Sequence, residues 1–183
     1  MKQSNNNSDT DVDSFCAALK EYNKTHRLIG NVSCETLVSE SLKAIKATRE
    51  SLQPFTLMVD VGAGAGVFGY AWLRSAANRK LVLLEPDKKA TGFLRLYFST
   101  HQRAKVIHKR LEDLKLEELL LIEPNVSAIC LGSRAFSSNK TLEECYEASG
   151  LKIPLFVFEK ESVKYQEGEI EKTRDAYSLR QIS

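Results

Sequence analysis

Short apolar runs alternate with longer amphipathic segments along most of this chain, and the alternation predicts its architecture. Thr56–Val61, Lys80–Glu85, Lys105–His108, Ser127–Leu131 and Leu155–Phe158 are short and largely apolar, the pattern of buried strands. Between them, Val67–Ala77, Lys88–Gln102, Leu116–Ile122 and Thr141–Ser149 carry apolar residues at helical spacing. This order predicts an α/β fold with a parallel sheet and helices on both faces, binding ligands beyond the carboxyl ends of its strands. Upstream, Val12–Tyr22 places Phe15, Ala18 and Leu19 on one helical face. Ser33–Leu52 repeats Leu37, Ser41, Leu42 and Ile45 at helical spacing until Pro54 ends it. Met1 to Asp13, rich in Ser, Asn and Asp, reads as a disordered tail. The chain therefore divides into a tail (1–13), an N-terminal helical extension (14–54) and a sheet unit (55–183).

The chemistry concentrates where the first strand meets its helix, at Asp60-Val61-Gly62-Ala63-Gly64-Ala65-Gly66. Strand, glycine loop and helix together hold a nucleotide-like group at a helix N-terminus, because glycine admits close backbone approach and a positive φ. Asp60 before the loop and Glu85 after the next strand suit a cofactor with an amine and a ribose diol, such as S-adenosylmethionine. A competing parse, Gly64-x-Gly66-x-x-Gly69 with Glu85 about 20 residues on, fits a dinucleotide. The first parse is preferred because it sets Asp60 at the strand end, facing the site. A turn that binds nothing is the bland alternative.

Charge sharpens the picture. Net charge is +2 over 183 residues, but Arg74 to Lys115 holds eleven Lys or Arg against four acids. A basic half around a cofactor site suits a polyanion such as RNA, and solvated helix faces would give the same count. The four cysteines (Cys16, Cys34, Cys130, Cys145) form no C-x-x-C pair and read as buried, reduced thiols. They share no ligand spacing with His26, His101 and His108, so no metal site is expected. No signal peptide or membrane-spanning run is apparent, which implies a cytoplasmic protein without a membrane partner, and a monomer is the expected state.

With these residues placed, the chain resembles the glucose-inhibited division protein B family, the 16S ribosomal RNA guanine-N7 methyltransferases. The likeness runs from about Tyr22 to Lys160. It rests on Asn23-Lys24 with Leu28, Val59 to Gly66 with Gly69, Leu84-Glu85-Pro86, Lys88-Lys89, and Phe93-Leu94-Arg95. Val106 to Asp113 and Ser133-Arg134-Ala135-Phe136 complete it, the last block being more specific than the glycines. The resemblance implies a class I S-adenosylmethionine-dependent methyltransferase, a Rossmann-like parallel sheet with an N-terminal helical extension, acting on ribosomal RNA or the small ribosomal subunit. It implies that Gly62, Gly64, Gly66 and Val67 surround the methionine end of the cofactor. Glu85 would accept from the ribose, Leu111 and Glu112 would meet the adenine, and Arg134 would lie near cofactor or base. Lys89, Arg110 and Lys160, with Arg134, would serve the RNA and the reaction.

The chain departs from the family pattern in places. Ser39-Glu40 and Lys43-Ala44 stand where the family carries Arg-His and Asp-Ser pairs. Phe68 and Ala71 replace prolines, and Glu159-Lys160-Glu161 replaces Leu-Lys-Gly. The chain is expected to stop, after Ser178-Leu179-Arg180, about where the family's final antiparallel hairpin begins. A diverged, non-catalytic RNA-binding or assembly module on the same fold is therefore the alternative, ahead of an NAD-dependent oxidoreductase. Phe68, Tyr70 and Phe136 are weighed as base-stacking rings against an ordinary core role. Asn23-Lys24 is weighed as an RNA contact against a chain turn.

Overall fold

The computed structural model describes residues 9–134, 139–167 and 170–182, with side chains over 12–133, 142–162 and 176–182. Among the described residues, six strands form one sheet: β1 (Leu57–Val61), β2 (Lys80–Leu84), β3 (Ala104–Ile107), β4 (Ile129–Arg134), β5 (Leu155–Glu167) and β6 (Ile170–Ile182). Their order is β3-β2-β1-β4-β5-β6, parallel except for β6 against β5. Chain order reverses between β1 and β4, so the ligand crevice of such a sheet falls at the end of β1. The helices are α1 (Asp9–His26), α2 (Cys34–Ala47), α3 (Arg49–Leu52), α4 (Val67–Ser75), α5 (Lys88–Phe98), α6 (Leu116–Leu120) and α7 (Asn139–Ser149). A 3₁₀ turn spans Leu111–Asp113.

The apolar residues of β1 to β5 fill two cores, one on each sheet face. Met58, Leu81, Leu83, Cys130, Phe156 and Phe158 pack under α1, α2, α4 and α5. Leu57, Val59, Val61, Val82, Leu84, Leu131 and Val157 face the other way, against Leu111, Leu119 and Leu142. Period-two alternation of side chains divides the strands between these layers. Continuous burial of all five β1 residues is what a central parallel strand requires.

Two expectations change, at the tail and at the final hairpin. α1 begins at Asp9, so residues 9–13 are helical where composition assigned a tail. The helical extension joins the first core: Phe15 stacks on Tyr70 with ring centroids 4.3 Å apart and planes within 4°. The final antiparallel hairpin, expected to lie beyond the chain, is present as β5 and β6, in register from Leu155 opposite Ile182 to Glu167 opposite Ile170. The sequence masks it because residues 159–178 are dominated by polar and charged side chains, which give no apolar alternation to read.

Candidate functional site

The glycine loop follows β1, and its geometry depends on side-chain parity. Asp60 shares the face of Met58, two residues back, and so points under α4 rather than toward the α6 and α7 side. There its Oδ2 accepts from the Gly69 N–H at 3.0 Å, and it is 2% exposed. Gly66 caps α4 with φ 72° and offers no side-chain oxygen. Asp60 therefore satisfies a first-turn donor that an N-cap side chain ordinarily serves. Gly69 permits this contact: a Cβ on it would lie 3.0 Å from Asp60 Oδ2 and 2.8 Å from Leu83 Cδ2.

Glu85, at the end of β2, clamps the loop from the other side. Its Oε2 accepts from the Gly64 N–H at 2.7 Å and its Oε1 from the Asp87 N–H at 2.8 Å. The N–H groups of Gly62 and Ala63 both reach the Leu84 carbonyl, and the Gly66 N–H reaches Ala63 O at 2.7 Å. Gly64 has φ +54°, and a Cβ there would meet nothing nearer than Gly62 O at 4.0 Å. The loop is thus closed from within by backbone and one carboxylate, yet open above Gly64. Two further bonds fix the rim. Ser133 Oγ donates to Val61 O at 3.2 Å across the β1–β4 switch point, and His108 Nε2 meets Pro86 O at 2.9 Å.

A cavity of about 420 Å³ opens beside this rim, walled by Gly62, Glu85, Arg110, Leu111, Glu112 and Cys145 among others. Leu111 is buried and Glu112 half-buried on the 3₁₀ turn after β3, while Arg110 is exposed at its start. Lys109, also on the wall, pairs with Glu118 of α6 at 2.8 Å. Cys145 corrects one expectation. Cys16, Cys34 and Cys130 are buried, but Cys145 is only half-buried and faces the cavity. Burial and then the neighbouring Glu112 carboxylate push its thiol upward, so it is held protonated.

The structure brings Gly62, Glu85, Arg110, Leu111 and Glu112 together around one space. Gly64 adjoins it through Glu85, whereas Gly66 and Val67 begin α4, away from the cavity wall. Gly66 is wedged, since a Cβ would lie 2.6 Å from Leu94 Cδ2. Lys89 is exposed on the first turn of α5, and Lys160 on β5 pairs with Glu40 of α2 at 2.8 Å. Arg134 ends β4 opposite Phe158, and its side chain lies outside the described residues, as do Ala135 and Phe136. Phe68 and Tyr70 are core residues, 4% and 1% exposed, packed on Phe158 and Phe15. Asn23 turns the chain: its side chain exchanges two bonds with the Ile29 backbone, at 2.9 and 3.1 Å. Sequence reasoning missed the cavity-lining Leu142 and Cys145, because only the packing of α7 over the 3₁₀ turn brings them there.

The family described as rRNA small subunit methyltransferase G (GidB) matches residues 9–183. A Helicobacter pylori protein named Ribosomal RNA small subunit methyltransferase G is 30% identical over 132 residues, 71% of this chain and 69% of the relative. A Helicobacter acinonychis protein of the same name is 30% identical over 101 residues, 54% of this chain and 56% of its own. In fold, the chain is similar to a putative caffeoyl-CoA O-methyltransferase from Staphylococcus aureus. The TM-score is 0.50 at 10% identity, covering 78% of this chain and 65% of that one.

Proposed function

The chain belongs to the rRNA small subunit methyltransferase G (GidB) family, and from that premise we propose that it methylates N7 of a guanine in 16S ribosomal RNA, using S-adenosylmethionine. The observation that carries the cofactor reading is the cavity at the switch point, with Glu85 and Glu112 on its wall and the open Gly64 beside it.

The residues fit that cofactor. Each Glu85 carboxylate oxygen accepts one backbone N–H, Oε2 from Gly64 in the loop and Oε1 from Asp87, and each keeps a second lone pair for a ribose hydroxyl. Leu111 offers an apolar wall to the adenine, and Glu112 an acceptor for its amine. Gly62 and Gly64 form the turn at the methionine end, and Gly66, Val67 and Asp60 set the start of α4 behind it. When bound, the cofactor supplies a methyl group already activated on a sulfonium. Guanine N7 has a free lone pair and no proton to lose, so the chain needs no general base. Its task is alignment, an effect worth up to about 7–11 kcal/mol in the best cases. A bare cation at N7 would oppose the positive charge arriving there. Arg110, at the cavity mouth, therefore serves O6 or a phosphate, and Lys89, Lys160 and Arg134 serve the RNA more widely.

The test has two parts. Calorimetric titration with S-adenosylhomocysteine should show binding that Gly64→Arg abolishes. Small subunits from a strain lacking the mark should gain one 7-methylguanosine when incubated with protein and S-adenosylmethionine. Absence of homocysteine-nucleoside binding by the intact protein overturns the cofactor reading; binding without methyl transfer overturns the substrate reading and favours the RNA-binding module.

A further inference from the structure

We propose that the seam between α1 and α5 is a docking surface for the RNA flanking the target nucleotide. This rests on the methyltransferase reading and adds a contact region outside the cavity.

The cations of the basic half divide by what they touch. Arg79 is buried with its guanidinium 3.7 Å from the Trp72 ring centroid. Arg103 donates to the carbonyls of Leu73, Ala76 and Arg79, closing the C-terminal end of α4. Lys80 bonds Ile122 O and Glu123, and Lys109 bonds Glu118. These four serve the fold. Lys88, Lys89 and Arg95 instead stand exposed on α5. The seven-residue spacing of Lys88 and Arg95 puts both on one helical face.

α1 lies alongside α5 in the opposite direction. Phe15 meets Phe98 at 6.3 Å, Tyr22 meets Phe93 at 5.3 Å, and Tyr22 Oη donates to Lys89 O at 3.0 Å. The end of α1 therefore reaches the start of α5 and brings His26 and Arg27, both exposed, toward Lys88 and Lys89. Gly92 makes the close approach possible, since a Cβ there would lie 2.7 Å from Tyr22 Oη. Tyr22 and His26 form a ring pair on α1 with centroids 4.4 Å apart, and Leu96 on α5 is 68% exposed. The two acids of the strip are already engaged. Glu21 pairs with Lys24 at 2.5 Å, and Asp87 accepts from the Lys89 and Ala90 N–H groups as the cap of α5.

Cations in a row, a paired aromatic face and an exposed apolar side chain match irregular RNA. Phosphates take the charges, and an unstacked base takes the rings. The strip also starts in the right place: Pro86 lines the cavity two residues before Lys88. RNA leaving the cavity mouth meets this surface directly.

The double variant Lys88→Glu/Arg95→Glu tests the assignment, with Lys105→Glu/Lys115→Glu as an equal charge change on exposed lysines elsewhere. Binding to unmethylated small subunits should weaken about tenfold near physiological salt, and the slope of log K against log salt should shrink by about 1.4 for two lost contacts. KM for the subunit should rise with kcat unchanged, while S-adenosylhomocysteine titration stays wild-type and reports an intact fold. Wild-type methylation with variant affinity and slope unaltered overturns the seam alone. An equal loss in the control pair also overturns it, because the effect would then be diffuse charge. Wild-type protein that neither binds nor methylates the subunit overturns the functional reading and this one together.

Discussion

Gly64 and Gly66 share a left-handed backbone but have different surroundings, and substitution should separate their roles. Gly64, at φ +54°, faces open space, so Gly64→Ala carries only the left-handed penalty of about 1–2 kcal/mol. Gly66, at φ +72°, would also drive its Cβ to 2.6 Å from Leu94 Cδ2 and 3.0 Å from Phe98 Cε2. Overpacking adds about 1–3 kcal/mol, giving roughly 2–5 kcal/mol in all for Gly66→Ala. Urea denaturation should rank the two in that order. Titration with S-adenosylhomocysteine should invert the ranking per unit of lost stability, with the folded Gly64→Ala protein weakened more than its stability explains. The glycine spacing was plain in the sequence, and so was the need for positive φ. Which glycine faces open space and which meets α5 was not, because nothing local tells the loop which neighbour packs on it.

At the level of elements, the 3₁₀ turn and α6 are held to the rim by the Lys109–Glu118 pair, whose side chains are 37% and 31% exposed. The hydrogen bond from Lys109 is the chief cause holding the Glu118 carboxyl below its ordinary value of 4.5, against a smaller opposing effect of burial. A depressed folded value means the stabilisation is fully present above the ordinary value and is lost as pH falls through the lower one. Glu118→Gln should therefore be modestly less stable than wild type at neutral pH, and the gap should close on acidification below 4.5. Denaturant midpoints across that range measure it; a gap that persists in acid would refute the pairing as its source. The strands and helices around this pair follow their sequence periodicities closely, with ends displaced by a few residues. The β5–β6 hairpin did not, because antiparallel pairing between two polar strands is bonded through backbone that every residue carries.

For the whole molecule, the helical extension is part of the same core as the sheet. Phe15 and Leu19 are fully buried, and Phe15 lies against Tyr70, Phe93, Tyr97 and Phe98. Phe15→Ala should cost about 3–5 kcal/mol, a large share of the roughly 5–15 kcal/mol that holds a typical domain folded. Thermal unfolding followed by circular dichroism should show one transition lowered as a unit. Separate melting of the sheet at its wild-type temperature would mean the extension is an independent body.

The sequence by itself determined the α/β architecture, the glycine turn and the acids that follow the strands, because helical and strand periodicities and turn chemistry act between neighbours a few residues apart. Tertiary structure alone decided what each polar group does. Asp60 is committed to Gly69, Glu85 to Gly64, Ser133 to Val61 and Tyr22 to Lys89 across 9, 21, 72 and 67 residues. A carboxylate or hydroxyl bonds whichever donor or acceptor the fold places within about 3 Å, and that proximity is set by packing of distant segments rather than by the residues on either side.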